Sequence, residues 1–439
     1  MSRPETRRIV DSLSENKQTA DLVLSRKHRP DYLLVLYMGL LMMLGLIIIY
    51  AIGPQRANVL NNAYGSNYND IYFFSKQAAS LAIAIAAFVF MSLTPFIVIA
   101  KRARGLVLLA LGACLLLAVA GWTGIGIAKE SLGATRWFEF GSLGGFQPSE
   151  LLKFAILIFG AMFLGNKIRQ GKLNDIWGTL APLGVIYAIS MIFIVIIQKD
   201  LGTGIALTGI IATMLFIGKI SVRRGLVIFG ILATLGIATI LAAPHRVERI
   251  MTFFQGDSSA SSTSDDENYH IEHAKLAIGS GGLFGVGVGN SVQATGYLPE
   301  AINDSVFAIM GEVFGFVGLV LILALFVALL MRLLKIIDHL ADVRLKLLVA
   351  GVFGWLGSHV ILNVASMTGI VPLTGITLPL LSFGGTSMAF IAAALGLTFQ
   401  LSRYTVHPSS IKEVNNEDFS SRRGIGRSRH SSRSGFGRS

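Results

Sequence analysis

The sequence predicts an all-α integral membrane protein of ten transmembrane helices, with both termini cytoplasmic. Three observations carry this. The 439-residue chain is 53% hydrophobic and only 14% charged, where a soluble domain carries about 25% charged residues. Its apolar runs recur at lengths of roughly 20 residues, enough to cross a hydrocarbon core, and segments that cross lipid must be helical to satisfy their own backbone groups. Its basic residues fall in alternate loops: 28 of the 37 Lys and Arg lie in the two tails and in loops 101–104, 167–172, 219–224 and 332–346. Basic loops mark the cytoplasm, which places both tails inside and requires an even number of spans. The net charge of +12 is then a topology signal and needs no nucleic-acid partner.

In chain order, residues 1–31 are polar with charges of both signs. They have neither the apolar core nor the small-residue cleavage site of a signal peptide, and read as a cytoplasmic tail. The membrane domain covers 32–402, with helices predicted at 32–53, 75–99, 105–126, 149–166, 177–197, 200–218, 225–243, 304–333, 345–368 and 381–402. The single cysteine, Cys114, lies in an apolar run and forms no intrachain disulfide. Residues 403–439 are a basic tail of low complexity, ending RRGIGRSRHSSRSGFGRS; it reads as disordered, or as a contact for anionic lipid or a cytoplasmic partner.

The loops predicted outside the cell are the unusual ones. One covers 127–148. The other, 244–303, lies between helices seven and eight, and a loop of that length is functional or disordered. Its stretch GDSSASSTSDDENYH (256–270) is Ser-rich and acidic and reads as disordered. The stretch from His273 to Glu300 is apolar and Gly-rich and is expected to pack on the bundle. Within it, GSGGLFGVGVG (279–289) is not a dinucleotide loop, because no βαβ unit surrounds it; its glycines suit turns and close helix approach.

Four stretches at the predicted outer face carry chemistry-bearing residues. In QPSELLKFAIL (147–157), Glu150 and Lys153 share a helix face and form either an internal pair or a contact for an anionic substrate. Just upstream, Arg136 beside Trp137 is an interface anchor or a phosphate grip. In QKDLGTG (198–204), Lys199 and Asp200 stand at the outer mouth, and Asp200 suits a helix cap. In GYLPEAINDSVFAIMGEV (296–313), Asp304 reads first as an N-cap and Glu300 as a loop charge. Glu312 lies within the apolar run, where a buried glutamate requires a partner or a proton. The fourth stretch, PLTGITLPLLSFGGTS (372–387), is broken by Pro and Gly; such backbone is tolerated at membrane depth where it lines a cavity or is buried in protein. Together they suit an anionic, lipid-linked substrate.

The motifs GATRWFEFG, QPSELLK, QKDLGTG, AIGSGGLFGVGVGNS, YLPEAIND and PLTGITLPLLSFGGTS occur in the order seen in the SEDS family (shape, elongation, division and sporulation). Through them the chain resembles that family from about residue 133 to 387, and HRVERIMTFF (245–254) with GVGVGNSVQ is more similar to its division branch than to its elongation branch. The resemblance implies a glycosyltransferase that polymerises lipid II into peptidoglycan at the outer leaflet of the bacterial inner membrane, at the division septum. It implies work with a class B penicillin-binding protein and the division machinery. The family's essential aspartate matches Asp304, which would accept a hydroxyl proton or hold a divalent cation, Mg or Mn, against the pyrophosphate. Arg136 and Lys153 match its basic positions, Glu150 would orient Lys153, and Glu300, Asp200 and Glu312 complete the substrate site.

The sequence also departs from the family pattern. Ile302-Asn303 stands where the family has His-Thr before the aspartate. Val313 stands for the second acid of a Glu-Glu pair, and Lys199 for a proline. A Ser/Asp insert replaces a Pro-rich turn in the long loop. Three rival functions are a lipid II flippase, a division scaffold with a degenerate site, and a generic secondary transporter, which would show inverted repeats; an elongation-type (rod-shape) enzyme is a further alternative.

Overall fold

The computed structural model describes residues 29–124, 126–131, 134–139, 145–228, 230, 234 and 262–405. The predicted N-terminal tail up to residue 28, most of predicted helix 225–243, the loop through 261 and the C-terminal tail from 406 lie outside the described residues.

Among the described residues, eight helices are long and apolar enough to cross a membrane. They are α1 (Tyr32–Tyr64), α2 (Tyr72–Leu93), α4 (Ala103–Thr123), α5 (Pro148–Arg169), α6 (Ile176–Ile197), α9 (Val306–His339), α10 (Val343–Met367) and α11 (Gly385–Leu401). Helix α7 (Leu201–Ile217) is apolar but shorter. This is a multi-pass membrane protein, and nine of its ten predicted spans have a described helix.

The predicted helix 75–99 is divided. Thr94 and Pro95 are extended, so α2 ends at Leu93 and a short α3 (Phe96–Lys101) follows. Proline removes a donor and disfavours helix in the residue before it. The side-chain amide of Gln400, on α11, takes up the exposed carbonyls of Ser92 (3.3 Å) and Thr94 (2.6 Å).

Two expectations for the outer loops are corrected. Residues 127–148 are not simply a loop, and the fold is not purely helical. They hold a small antiparallel sheet, β1 (Ala128–Ser131), β2 (Ala134–Glu139) and β3 (Gly145–Phe146), in sequence order. The run Thr135-Arg136-Trp137-Phe138 alternates β-branched, long and aromatic side chains that favour a pleated surface. Likewise 262–270 is not disordered: it begins helix α8 (Ser262–Ser280). His270, Ala274 and Ala277 are buried on one face of α8, the i, i+4, i+7 spacing of an amphipathic helix.

Side-chain contacts tie the helix ends together at two places. At one end the Asp31 carboxylate pairs with Arg332, and its backbone N–H donates to Ser402 Oγ at 2.9 Å. At the other, Gln55 Nε2 donates to Gly289 O (3.2 Å) and Thr386 Oγ1 to Gly145 O (2.7 Å).

Helix α9 is two helices joined at Gly315, which adopts φ 68° and ψ −172°, a region that only glycine visits readily. The break frees peptide groups that must find partners in a lipid setting. The glycine loop supplies them. Val286 N donates to Glu312 O (2.9 Å) and Gly287 N to Val313 O (3.1 Å), while Phe316 N and Val317 N donate to Gly282 O (2.9 Å) and Leu283 O (3.1 Å). This approach needs a bare backbone: a Cβ at Gly281 would lie 2.0 Å from Gly311 O, whereas one at Gly279 would meet nothing within 4 Å. Gly281→Ala is therefore expected to lower thermal stability in detergent by the order of 1–3 kcal/mol, the usual cost of forced overpacking, with Gly279→Ala near wild type in the same melting assay.

Candidate active site

Asp304 lies in the turn before α9. The N-cap of α9 is Ser305, with no side-chain cap bond, so the plain reading of Asp304 as a helix cap is overturned. Asp304 Oδ1 is enclosed and has no hydrogen-bond partner. Burial, and next the nearby Glu300 charge, push the carboxyl up to about 7, while the N–H groups of Asp304 and Ser305 and the Ser305 hydroxyl pull it back. A lone oxygen in a buried turn, with its proton near neutral, has the properties of a general base.

Three interactions fix this turn. Asn363 Nδ2, on α10, donates to Asp304 O and to Ile376 O, each at 2.7 Å. Phe383 N donates to Ile302 O at 2.8 Å. Ser305 Oγ donates to Pro299 O at 2.9 Å and lies 2.6 Å from His270 Nε2 of α8. Glu300 holds a left-handed backbone, φ 47°, and half of its side chain is exposed, with Arg56 of α1 3.9 Å away. Its other oxygen accepts from Asn303.

The broken segment 372–384 joins Asp304 to the basic pair. Thr377 O accepts from His359 Nδ1 (3.3 Å), which leaves Nε2 to accept from Lys153 Nζ (3.4 Å). Lys153 is fully buried, ion-paired with Glu150 at 2.7 Å and set 4.9 Å over the Trp355 ring. Of the two sequence readings for Glu150 and Lys153, the structure has the internal pair.

Arg136, on β2, is half-buried; its Nε donates to Gln198 O and its Nη2 to Lys199 O, each at 3.0 Å. It clamps the turn in which Lys199 is left-handed (φ 53°). Asp200 caps α7, accepting from Thr203 N (2.9 Å) and Thr203 Oγ1 (2.8 Å), and also binds Gln147 Nε2 (3.2 Å). Glu312 stands apart from this group. Its carboxylate accepts from Ser291 Oγ (2.5 Å) and Val292 N (2.8 Å), with longer bonds from Gln293 N. A buried glutamate thus finds the partners it requires in the outer loop.

The sequence reading missed His270, Asn363, His359 and Arg56. Signals existed for two: His359 and Asn363 are four apart on one face of an apolar predicted helix, where polar side chains are costly and mark function. Among the described residues no three His, Cys, Asp or Glu side chains converge as a metal cage. Mg is held by one or two carboxylates plus substrate phosphates, and Asp304 Oδ1 fits that lesser demand.

Residues 31–407 match the cell cycle protein family of FtsW, RodA and SpoVE. The chain belongs to this family. It is 31% identical over 383 residues to stage V sporulation protein E of Bacillus subtilis, covering 87% of this chain and 99% of that protein. It is 32% identical over 376 residues to the probable peptidoglycan glycosyltransferase FtsW of Nitrosomonas europaea, covering 84% and 92%. Among solved structures, the rod shape determining protein RodA of Thermus thermophilus aligns with TM-score 0.59 and 25% identity over 86% of this chain and 98% of that one. A peptidoglycan synthase complex that coordinates polymerization and crosslinking aligns with TM-score 0.64 and 24% identity, covering 85% and 98%.

The pair within the bundle makes a stability prediction. Glu150→Leu alone strands a buried ammonium and is expected to cost about 3–5 kcal/mol. The double variant Glu150→Leu/Lys153→Met is expected to melt higher than that single variant in detergent. A double variant no more stable than the single would mean that the lost charge pairing is not what destabilises it.

Proposed function

We propose that the protein is a peptidoglycan glycosyltransferase that polymerises lipid II at the outer face of the bacterial inner membrane, with Asp304 as the general base. The observation that carries this is the partnerless Oδ1 of Asp304, on a carboxyl raised to about 7, in a chain whose relatives include named probable peptidoglycan glycosyltransferases. A sugar hydroxyl attacks the anomeric carbon of a second lipid-linked saccharide. Asp304 takes the hydroxyl proton, the new glycosidic bond forms, and the bond to undecaprenyl pyrophosphate breaks with the electron pair leaving on the pyrophosphate.

The other residues have separable parts. Arg136 is the side chain assigned to the pyrophosphate: Nε and Nη2 anchor it to backbone carbonyls, and its guanidinium charge would offset the leaving charge. Lys153 is oriented by Glu150; being buried and paired, it supports the site rather than touching the pyrophosphate. Glu300 raises the basicity of Asp304. Asp200 holds the turn that Arg136 clamps, and Glu312 holds the loop leading to Pro299. Asp304 is also the residue that would hold a divalent cation, Mg or Mn, which would supply neutralisation of leaving-group charge.

Residues 32–402 form the enzyme, 244–303 its extracytoplasmic loop, and the two tails face the cytoplasm. A class B penicillin-binding protein is the proposed partner, in keeping with the likeness to a synthase complex. The division branch and a septal location rest on HRVERIMTFF and GVGVGNSVQ; an elongation-type role is the alternative.

The test uses protein purified in detergent, with and without its class B partner, given labelled lipid II and a divalent cation. Asp304→Asn is expected to abolish the glycan ladder, with a rate loss of about 100-fold or more. No ladder from wild type even with the partner would favour a flippase or scaffold; a ladder surviving in Asp304→Asn would move the base to Glu300.

The pH profile is a second check. A base with its carboxyl near 7 is active when ionised, so kcat/KM is expected to fall about tenfold per pH unit on the acid side of about 7. Glu300→Gln removes a charge that raises this value, so the acid limb is expected to shift to lower pH. An unmoved limb would remove Glu300 from the site's electrostatics.

A further inference from the structure

We propose that His270 is a positioning residue for this reaction: through the Ser305 hydroxyl it fixes the turn that presents Asp304. The inference rests on the reading of Asp304 as the base and goes beyond it.

The hydrogen bonds decide the direction of the protons. Ser305 Oγ carries one proton and lies 2.9 Å from Pro299 O, which only accepts. His270 Nε2 lies 2.6 Å from the same oxygen. The hydroxyl serves the carbonyl when Nε2 carries a hydrogen and donates. With the other tautomer, the serine proton would turn to the ring. The Pro299 carbonyl would then lose its donor.

Both groups are held without slack. Ser305 is fully enclosed and His270 nearly so. His270 rides on α8, whose Ala274 and Ala277 are buried in the same face. The turn needs such an anchor: Glu300 holds a left-handed backbone, and the Ser305 N–H reaches Glu300 O only at 3.3 Å.

The charge state is also suited to the task. Burial holds the His270 ring down to about 4, against the opposing pull of Glu300, so it is neutral where the enzyme works. A neutral donor orients the turn without placing a cation beside the base, which would lower its basicity.

The experiment compares His270→Gln, His270→Leu, Ser305→Ala and the double His270→Leu/Ser305→Ala. All are made in the full chain with its class B partner and labelled lipid II. Asp304→Asn is run in parallel, and melting temperatures report folding. His270→Leu is expected to lower kcat about tenfold, or 1.4 kcal/mol, with KM for lipid II within about twofold of wild type. Gln keeps an N–H near the place of Nε2 and is expected to restore kcat to within about twofold. Ser305→Ala should match His270→Leu, and the double variant should fall no lower than either.

Wild-type kcat in His270→Leu, a Gln variant as slow as Leu, a change confined to KM, or additive losses in the double variant would each overturn the proposal. If His270→Leu fails to fold, a full-speed Ser305→Ala overturns it, and a slow one with an active His270→Gln sustains it. Activity in Asp304→Asn would instead remove the base itself, and this inference with it, an outcome distinct from a failure at His270.

Discussion

The site depends on one constraint: the backbone between Pro372 and Gly384 is irregular and, from Ile376 to Ser382, mostly buried in the bundle. Its buried peptide groups therefore have to be met by protein, and most of the groups that meet them come from distant parts of the chain. Thr377 O is taken by His359, Ile376 O by Asn363, Ser382 O by Gln77, and Leu378 N by Ser382 Oγ. Phe383 N goes to Ile302 O in the Asp304 turn. The segment thus ties α2, α10 and the Asp304 turn together. Because His359 also reaches Lys153, the acid turn and the buried basic pair are fastened to the same strip of main chain.

This arrangement divides labour between charge and position. The ionic groups deepest in the bundle, Glu150 and Lys153, satisfy each other and add a fixed field. The groups assigned to chemistry sit at the turns, where Arg136 and Asp200 brace one side and Asn363 and Ser305 the other. Of the four left-handed residues other than glycine among the described residues, Lys199, Glu300 and Leu380 fall in or beside these turns, and Lys219 lies after α7. Such conformations persist only where surrounding bonds over-determine them.

Much of the fold was legible because membrane helices are written in composition and in the alternation of basic loops. The candidate acids and bases were legible because charges are rare in such a chain. Other features were not. The sheet at 128–146 is short, and its alternation is masked by glycines on both sides. Helix α8 begins in a Ser- and Asp-rich stretch whose composition argues for disorder, and only His270, Ala274 and Ala277 carry the period. The Asp304 turn defeated a local rule: aspartate before an apolar run is a good cap, but Asn363 and Phe383 hold this turn so that the carboxylate points elsewhere. Glu312 was legible as a problem, and its solution lay in a loop 20 residues earlier in the chain.

The interruption at Gly315 has a consequence for how the molecule loosens. Residues 312–317, on both sides of it, hydrogen-bond to the loop after α8, so the upper part of α9, this junction and the loop form one cooperative unit distinct from the long remainder of α9. Amide exchange would then report two separate openings within a single span. The upper unit, which includes the Glu312 carbonyl and the glycine loop, would open and close together, leaving the lower part of the helix closed.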